Sequence, residues 1–298
     1  TLLSSTDATH TTWTSRSSGV TGRLNGVDHS NGQFLVTGQS GALLTSVDGS
    51  SWTAVNLQNF AEYRAAIHVG GTCYVAGDQW LKSTGLTQWS VPNLGLGPNE
   101  TAALTVHAGQ LVAAGGDSLN SASSTHQGQL AWTSASSPGS LDRLTLPDKR
   151  TNLRGLAGDG TTLVAVGYSG RILTSIDGMN WTDQNPISLP DLEGVTTGPG
   201  PLVAVGRTGT VLSSDDGTNW VRRSAPNNRK EDVWDVVHGN GIYVASTTHG
   251  AWWSSNEVDW TYQYWGAVLA TPRLAQGNGR FVVVSAALGV IRSSTNAV

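Results

Sequence analysis

Residues 163–181 read LVAVGYSGRILTSIDGMNW: an aliphatic run closed by glycine, a short polar turn, a second aliphatic run, and then Ser-x-Asp-Gly-x-x-Trp. The two aliphatic runs read as strands, and Asp-Gly reads as a tight hairpin turn because it tolerates positive φ without steric cost. Variants of this stretch recur, with copies starting at Leu24, Tyr63, Thr101, Leu153, Leu192, Val233 and Pro272, spaced 39, 38, 52, 39, 41 and 39 residues apart. Self-similarity near 40 residues with several short strands per copy marks propeller blades, which cannot bury their apolar faces without neighbours. The expected architecture is an all-β, seven-bladed β-propeller with four antiparallel strands per blade, residues 1–298 forming one propeller.

In the first copy the expected strands are Leu24–His29, Phe34–Thr37, Ala42–Ser46 and Trp52–Val55, separated by Asn31-Gly32, residues 38–41 and Asp48-Gly49. The spacing of 52 predicts a loop insertion within Gly115–Gln129, which is rich in serine. The last copy stops before any Asp-Gly-x-x-Trp segment, so residues 1–16 are expected to complete it, with Trp13–Arg16 as its outer strand. Leu2–Ser5 and Val290–Ser294 compete for its third strand, and the C-terminal segment is the favoured one. Trp13, Trp52, Trp89, Trp181, Trp220 and Trp260 are expected to fill the gaps between blades.

Only 13% of the 298 residues are charged, and 37 are glycine, which suits many short strands and turns. A net charge of -4 argues against a nucleic-acid partner, which needs a dense basic face. No run of 18 apolar residues exists, so insertion into a membrane is not expected. Cys73 takes a strand position that is apolar in other copies and should be a buried small side chain. The abundance of Ser, Thr, Asn and Gly suggests a secreted or periplasmic protein, and a monomer is expected.

Residues 21–55 and 153–184 resemble the repeats of the BNR, Asp-box-like propeller superfamily, which includes sialidase-like proteins and photosystem II assembly factors. The resemblance covers essentially the whole chain and implies the fold more than the function, because that superfamily holds glycosidases, lyases, lectin-like modules and assembly factors. The Asp box itself implies a structural turn. This chain departs from its standard form by lacking one residue between Asp48 and Trp52, Asp177 and Trp181, and Asp216 and Trp220.

Positions that differ between copies are the candidates for function, since shared positions are explained by packing. One set, Asn25, Arg64, Ala102, Arg154, Glu193, Trp234 and Arg273, should ring the mouth of the central channel. Its arginines resemble the cluster that holds a carboxylate in sialidases, and guanidinium groups suit bidentate anion binding. The alternative is internal pairing, for instance Arg154 with Glu193. A second set lies in the turns between second and third strands: Gln39, Asp78, Trp80, Tyr168, Arg171, Arg207 and His249, with Asp117 and His126 in the insertion. A third comprises Asn227–Asp235, Trp252-Trp253 and Tyr262–Trp265, which place blades six and seven first as a binding surface and add Trp265 to the ligand-binding candidates.

Catalytic patterns are poor. Glu193 is the only acid in the ring, whereas glycoside hydrolysis generally needs two carboxylates at a defined separation. Tyr63 or Tyr168 beside Glu193, or a His249 or Tyr168 base with Arg207, would serve a hydrolase or a lyase. The seven histidines show no metal-ligand spacing, and no cofactor motif occurs. The leading expectation is a module that binds a glycan or protein ligand through its top face. The alternative is a glycoside hydrolase or polysaccharide lyase acting on a carboxylate-bearing polysaccharide.

Overall fold

The computed structural model describes residues 13–57, 59–92, 101–116, 127–134, 137–149, 152–184, 189–265, 268–286 and 290–294. The expectations for Leu2–Ser5, Asp117 and His126 lie outside these residues. The strands form seven antiparallel sheets, called blades 1 to 7 in the order of their inner strands, which begin at Leu24, Tyr63, Thr101, Leu153, Leu192, Val233 and Arg273.

The expectation of seven like blades of four strands is corrected. Only five sheets are built from four consecutive strands, those spanning 24–56, 101–149, 153–183, 192–222 and 233–264. Blade 2 has three, Tyr63–Val69, Thr72–Gly77 and Leu81–Ser83. Beyond them, among the described residues, only Ser90 pairs, exchanging hydrogen bonds of 2.9 and 3.0 Å with Lys82. Two residues further on, Pro92 has no N–H to continue the ladder at that point. Blade 7 joins both ends of the chain: Thr14–Arg16 pairs with Val290–Ser294, with Thr14 opposite Ser293 and Arg16 opposite Ile291.

Each junction between neighbouring sheets holds one apolar cluster. The cluster that closes the circle sets Leu24, Phe34 and Val36 of blade 1 against Ala275, Val282 and Val284 of blade 7. All six outer tryptophans pack into such junctions, and Cys73 is buried between blades 1 and 2. Asn31-Gly32, Asn240-Gly241 and Asn278-Gly279 link first to second strands with positive φ at both residues, the geometry that matches the twist of a hairpin. Part of the expected insertion is strand: Gln127–Gln129 opens Gln127–Ser134, and the outer strand of blade 3 extends over Ser137–Lys149.

The inner strands also carry a device absent from the repeat pattern. In blade 1 Leu24 pairs with Gly38 and Gly26 with Thr37, so Asn25 is an extra, unpaired residue. The same shift isolates Arg64, Ala102, Arg154, Glu193 and Trp234 in blades 2 to 6. Blade 7 lacks the shift, and Arg273 pairs with Val284. A bulge re-aims the side chain of its extra residue. Six bulges in equivalent positions therefore turn six residues of five different types toward the axis.

Candidate functional site: the channel mouth

The bulged residues and Arg273 all line one central channel of about 760 Å³. The face on which they lie, the top, also carries the turns between second and third strands. Three of these turns pair a left-handed Ser40, Ser169 or Thr208 with a left-handed glycine. Gly209 is one of the glycines, and a Cβ there would strike the Arg229 carbonyl of the passing connection. Sequence and geometry thus agree on why the turns of blades 1, 4 and 5 are alike.

Charge at the mouth is largely compensated from within. Glu193 is 0% exposed; its Oε1 accepts from Arg207 Nε at 2.8 Å and its Oε2 from Arg154 Nη1 at 3.3 Å. Arg207 continues the chain by donating from Nη1 to Asp232 Oδ2 at 2.7 Å. Burial works against the charge on Arg207, but hydrogen bonds and charges from Glu193 and Asp232 outweigh it and hold the guanidinium pKa above its ordinary value. Arg207 also stacks over Trp234, 4.3 Å from the ring centroid, and Trp234 Nε1 donates to Thr248. Arg154 donates from Nη2 to the Tyr168 hydroxyl and stacks on that ring. Of the two readings of the arginine ring, internal pairing with Glu193 describes Arg154.

Arg64 is held loosely, 3.9 Å from both Glu62 Oε1 and Asp78 Oδ1. Glu62 accepts from Asn25 Nδ2 at 3.1 Å and Gln39 Nε2 at 3.4 Å. Arg273 differs from the others: its Nη1 donates to the main-chain carbonyls of Glu193 and Trp234 at 3.2 and 2.7 Å, and no described carboxylate lies within ion-pair distance. Beneath it, Asp235 accepts from the Val236 and Leu274 N–H groups, both at 2.9 Å. Burial raises the carboxyl pKa of Asp235, and the Arg273 charge opposes that rise.

The remaining candidates scatter. Trp80 is buried between blades 2 and 3, and Trp265 is buried between blades 6 and 7, in tilted contact with Trp13 at 5.6 Å between ring centroids, so neither offers a ring to a ligand. Trp252 is fully buried while Trp253 is half-buried, as alternation along a strand requires. Arg171 pairs with Asp183 at 3.2 Å. His249 is exposed at the rim, with Nδ1 3.5 Å from Glu231 Oε2, and Arg229 stacks over Tyr262 at 3.6 Å. Tyr63 is buried between blades 1 and 2, and Tyr168 reaches Glu193 only through Arg154, so no tyrosine–glutamate pair forms.

Glu62 was missed by the sequence reading, although a signal for it exists. It stands two residues before the bulged Arg64, as Asp191 and Asp232 stand before Glu193 and Trp234. These acids clamp the turn of the preceding blade: Asp191 accepts from the Ser169 N–H at 2.9 Å and Asp232 from the Thr208 N–H at 3.0 Å. Asp28, deeper in the channel wall, was missed as well. It is held by the Ser30 hydroxyl and the His29 N–H, its Oδ2 is buried without a partner, and burial pushes its carboxyl up to about 6. No cluster that could hold a metal ion occurs among the described residues.

No protein-family model and no curated protein matches the chain. Solved structures do. YCF48 bound to D1 peptide is similar with a TM-score of 0.68 at 14% identity, covering 98% of this chain and 97% of that one. A chain of the nidogen/laminin complex is similar with a TM-score of 0.53 at 14% identity, covering 72% of this chain and 84% of that one. Both likenesses are to β-propellers and show the fold.

Proposed function

We propose that this chain is a binding module, working outside the cytoplasm, that captures a segment of another protein at the top mouth of its channel. The observation that carries the reading is Arg273. It stands at a mouth assembled from every blade, and it is the channel arginine whose charge meets no described carboxylate at ion-pair distance, so an acceptor brought by a ligand completes it. The two propellers reported above were solved with a peptide or a protein partner, which supports a ligand of that class. Burial of Trp80 and Trp265, and the arginines stacked on Tyr168 and Trp234, leave little aromatic platform for a pyranose. Both oxygens of Glu193 are engaged by guanidinium groups, which favours binding over acid–base chemistry. The turns built on Asp48, Asp177 and Asp216 support kinship with Asp-box-like repeats.

The test is to pan the full chain against a phage-displayed library of random peptides and to measure the selected sequences as synthetic peptides by calorimetry. Arg273→Ala is expected to weaken binding about tenfold or more, as loss of an interface anchor does. Failure to select any peptide, or selected peptides indifferent to Arg273→Ala, would remove this reading.

A further inference from the structure

A strained residue stands at the mouth two positions before Arg273. Thr271 lines the channel, is exposed, and has a left-handed backbone with φ of 42°. Among the described residues only Thr208 and Thr271 combine that conformation with a side chain branched at Cβ, which disfavours it. Thr208 lies in a turn, is followed by glycine and is clamped by Asp232. Thr271 instead precedes Pro272, and a proline ring steers the residue before it toward extended backbone. Its conformation is thus opposed twice, by its own branching and by its neighbour.

The flanks hold it in place. The Ala270 carbonyl accepts from the Ala286 N–H at 3.1 Å and the Ser285 hydroxyl at 3.0 Å. On the other side the Pro272 carbonyl accepts from the Ser246 hydroxyl at 3.0 Å. Among the described residues, none is hydrogen-bonded to the Thr271 hydroxyl itself. Strain of this kind persists only where the surroundings over-determine it, and it gathers at sites that grip ligands. Here it stations an unspent hydroxyl close in sequence to Arg273, whose Nη1 is held by two main-chain carbonyls.

We infer that Thr271 is a second ligand contact at the mouth, its hydroxyl joining Arg273 on the same acceptor group of the captured segment. A guanidinium only donates and a hydroxyl has one O–H to add, so the two together take both lone-pair regions of one acceptor group. The inference rests on the peptide-binding reading above and adds a residue to its contact set.

The experiment measures the peptides selected on the full chain against Thr271→Val, Thr271→Ser, Thr271→Gly and Arg273→Ala, with calorimetry for affinity and thermal melts for the fold. Thr271→Val keeps the branching and removes only the hydroxyl, so it is expected to melt like the parent and bind about three- to tenfold more weakly, the loss of one hydrogen bond. Thr271→Ser keeps the hydroxyl and is expected to bind within about twofold of the parent. Thr271→Gly relieves the strain, so a melting temperature about 2 °C or more higher is expected, together with the same loss of affinity. Peptides that lose affinity in Arg273→Ala yet bind Thr271→Val like the parent, or lose as much in Thr271→Ser as in Thr271→Val, would overturn the contact and keep the mouth. A Thr271→Gly variant melting at or below the parent temperature would show the backbone unstrained and overturn the inference as well. Peptides indifferent to Arg273→Ala, or none selected, would overturn both readings.

Discussion

Arg207 Nε donates to Glu193 Oε1 at 2.8 Å, and the acceptor is wholly buried while the donor is about a third exposed. The bulge that turns Glu193 inward thus places a carboxylate that water cannot reach, and two guanidinium groups replace its hydration. Removing it leaves Arg154 and Arg207 facing each other without their shared counter-charge.

Glu193→Ala is therefore expected to lower stability by about 2–4 kcal/mol, somewhat below the usual loss for a broken buried pair because both arginines keep some water. Urea unfolding followed by tryptophan fluorescence measures it. A midpoint equal to that of the parent protein would show that the network is not structural.

The hairpin at Asp177 invites a milder test. Its Oδ1 accepts from the Met179 and Asn180 N–H groups and the Ser175 hydroxyl, and blade 6 makes the same turn with Asn256. The hydrogen bonds, then, matter more than the charge. Asp177→Ala should cost about 1–2 kcal/mol and Asp177→Asn clearly less. Equal losses for both would contradict this.

The pH dependence separates two groups. Burial lowers the pKa of His29, His68 and His238, so the unfolded chain takes up protons first and stability falls as pH drops below about 6.5. His29 leans over Gly277 and His238 over Gly198, and His68 contacts Ser30, so each charge would appear at a junction between blades. A combined His29→Gln, His68→Gln, His238→Gln variant should show a shallower loss between pH 7 and pH 5 in thermal melts. An unchanged slope would reject that origin.

Asp28 acts with the opposite sign. Its pKa is raised to about 6, so its contribution is full below the unfolded value of 3.8 and is lost as pH rises through 6. At pH 7.5 Asp28→Asn should stabilise the protein by about 1–2 kcal/mol, a figure reduced from the full shift because part of the residue meets solvent. Denaturation at pH 4 and pH 7.5 is the check, and equal effects at both would refute it.

Repeat arithmetic located the mouth because six of the copies carry their extra residue at the same offset within the first strand. Asn25, Arg64, Arg154, Glu193 and Trp234 could be named before their bulges were seen. Their pairing was only half legible: Asp232 and Arg207 are 25 residues apart and meet because neighbouring blades fold alike, which no single copy encodes. Trp80 and Trp265 were misplaced as ligand platforms for a related reason, since burial at a junction depends on the facing sheet. In blade 2 the ladder meets Pro92, whose missing N–H is local and could have been weighed.

Because Thr14–Arg16 sits beside Val290–Ser294, the circle cannot shut until segments from opposite ends of the repeat array have met. Until then the chain is an arc with two bare flanks, and its closing contact spans a very large sequence separation. Such long-range pairing is slow and leaves intermediates open to self-association. Closure of the circle is therefore expected to be a late step of folding, and escort before it would matter more here than for a helical protein of equal length.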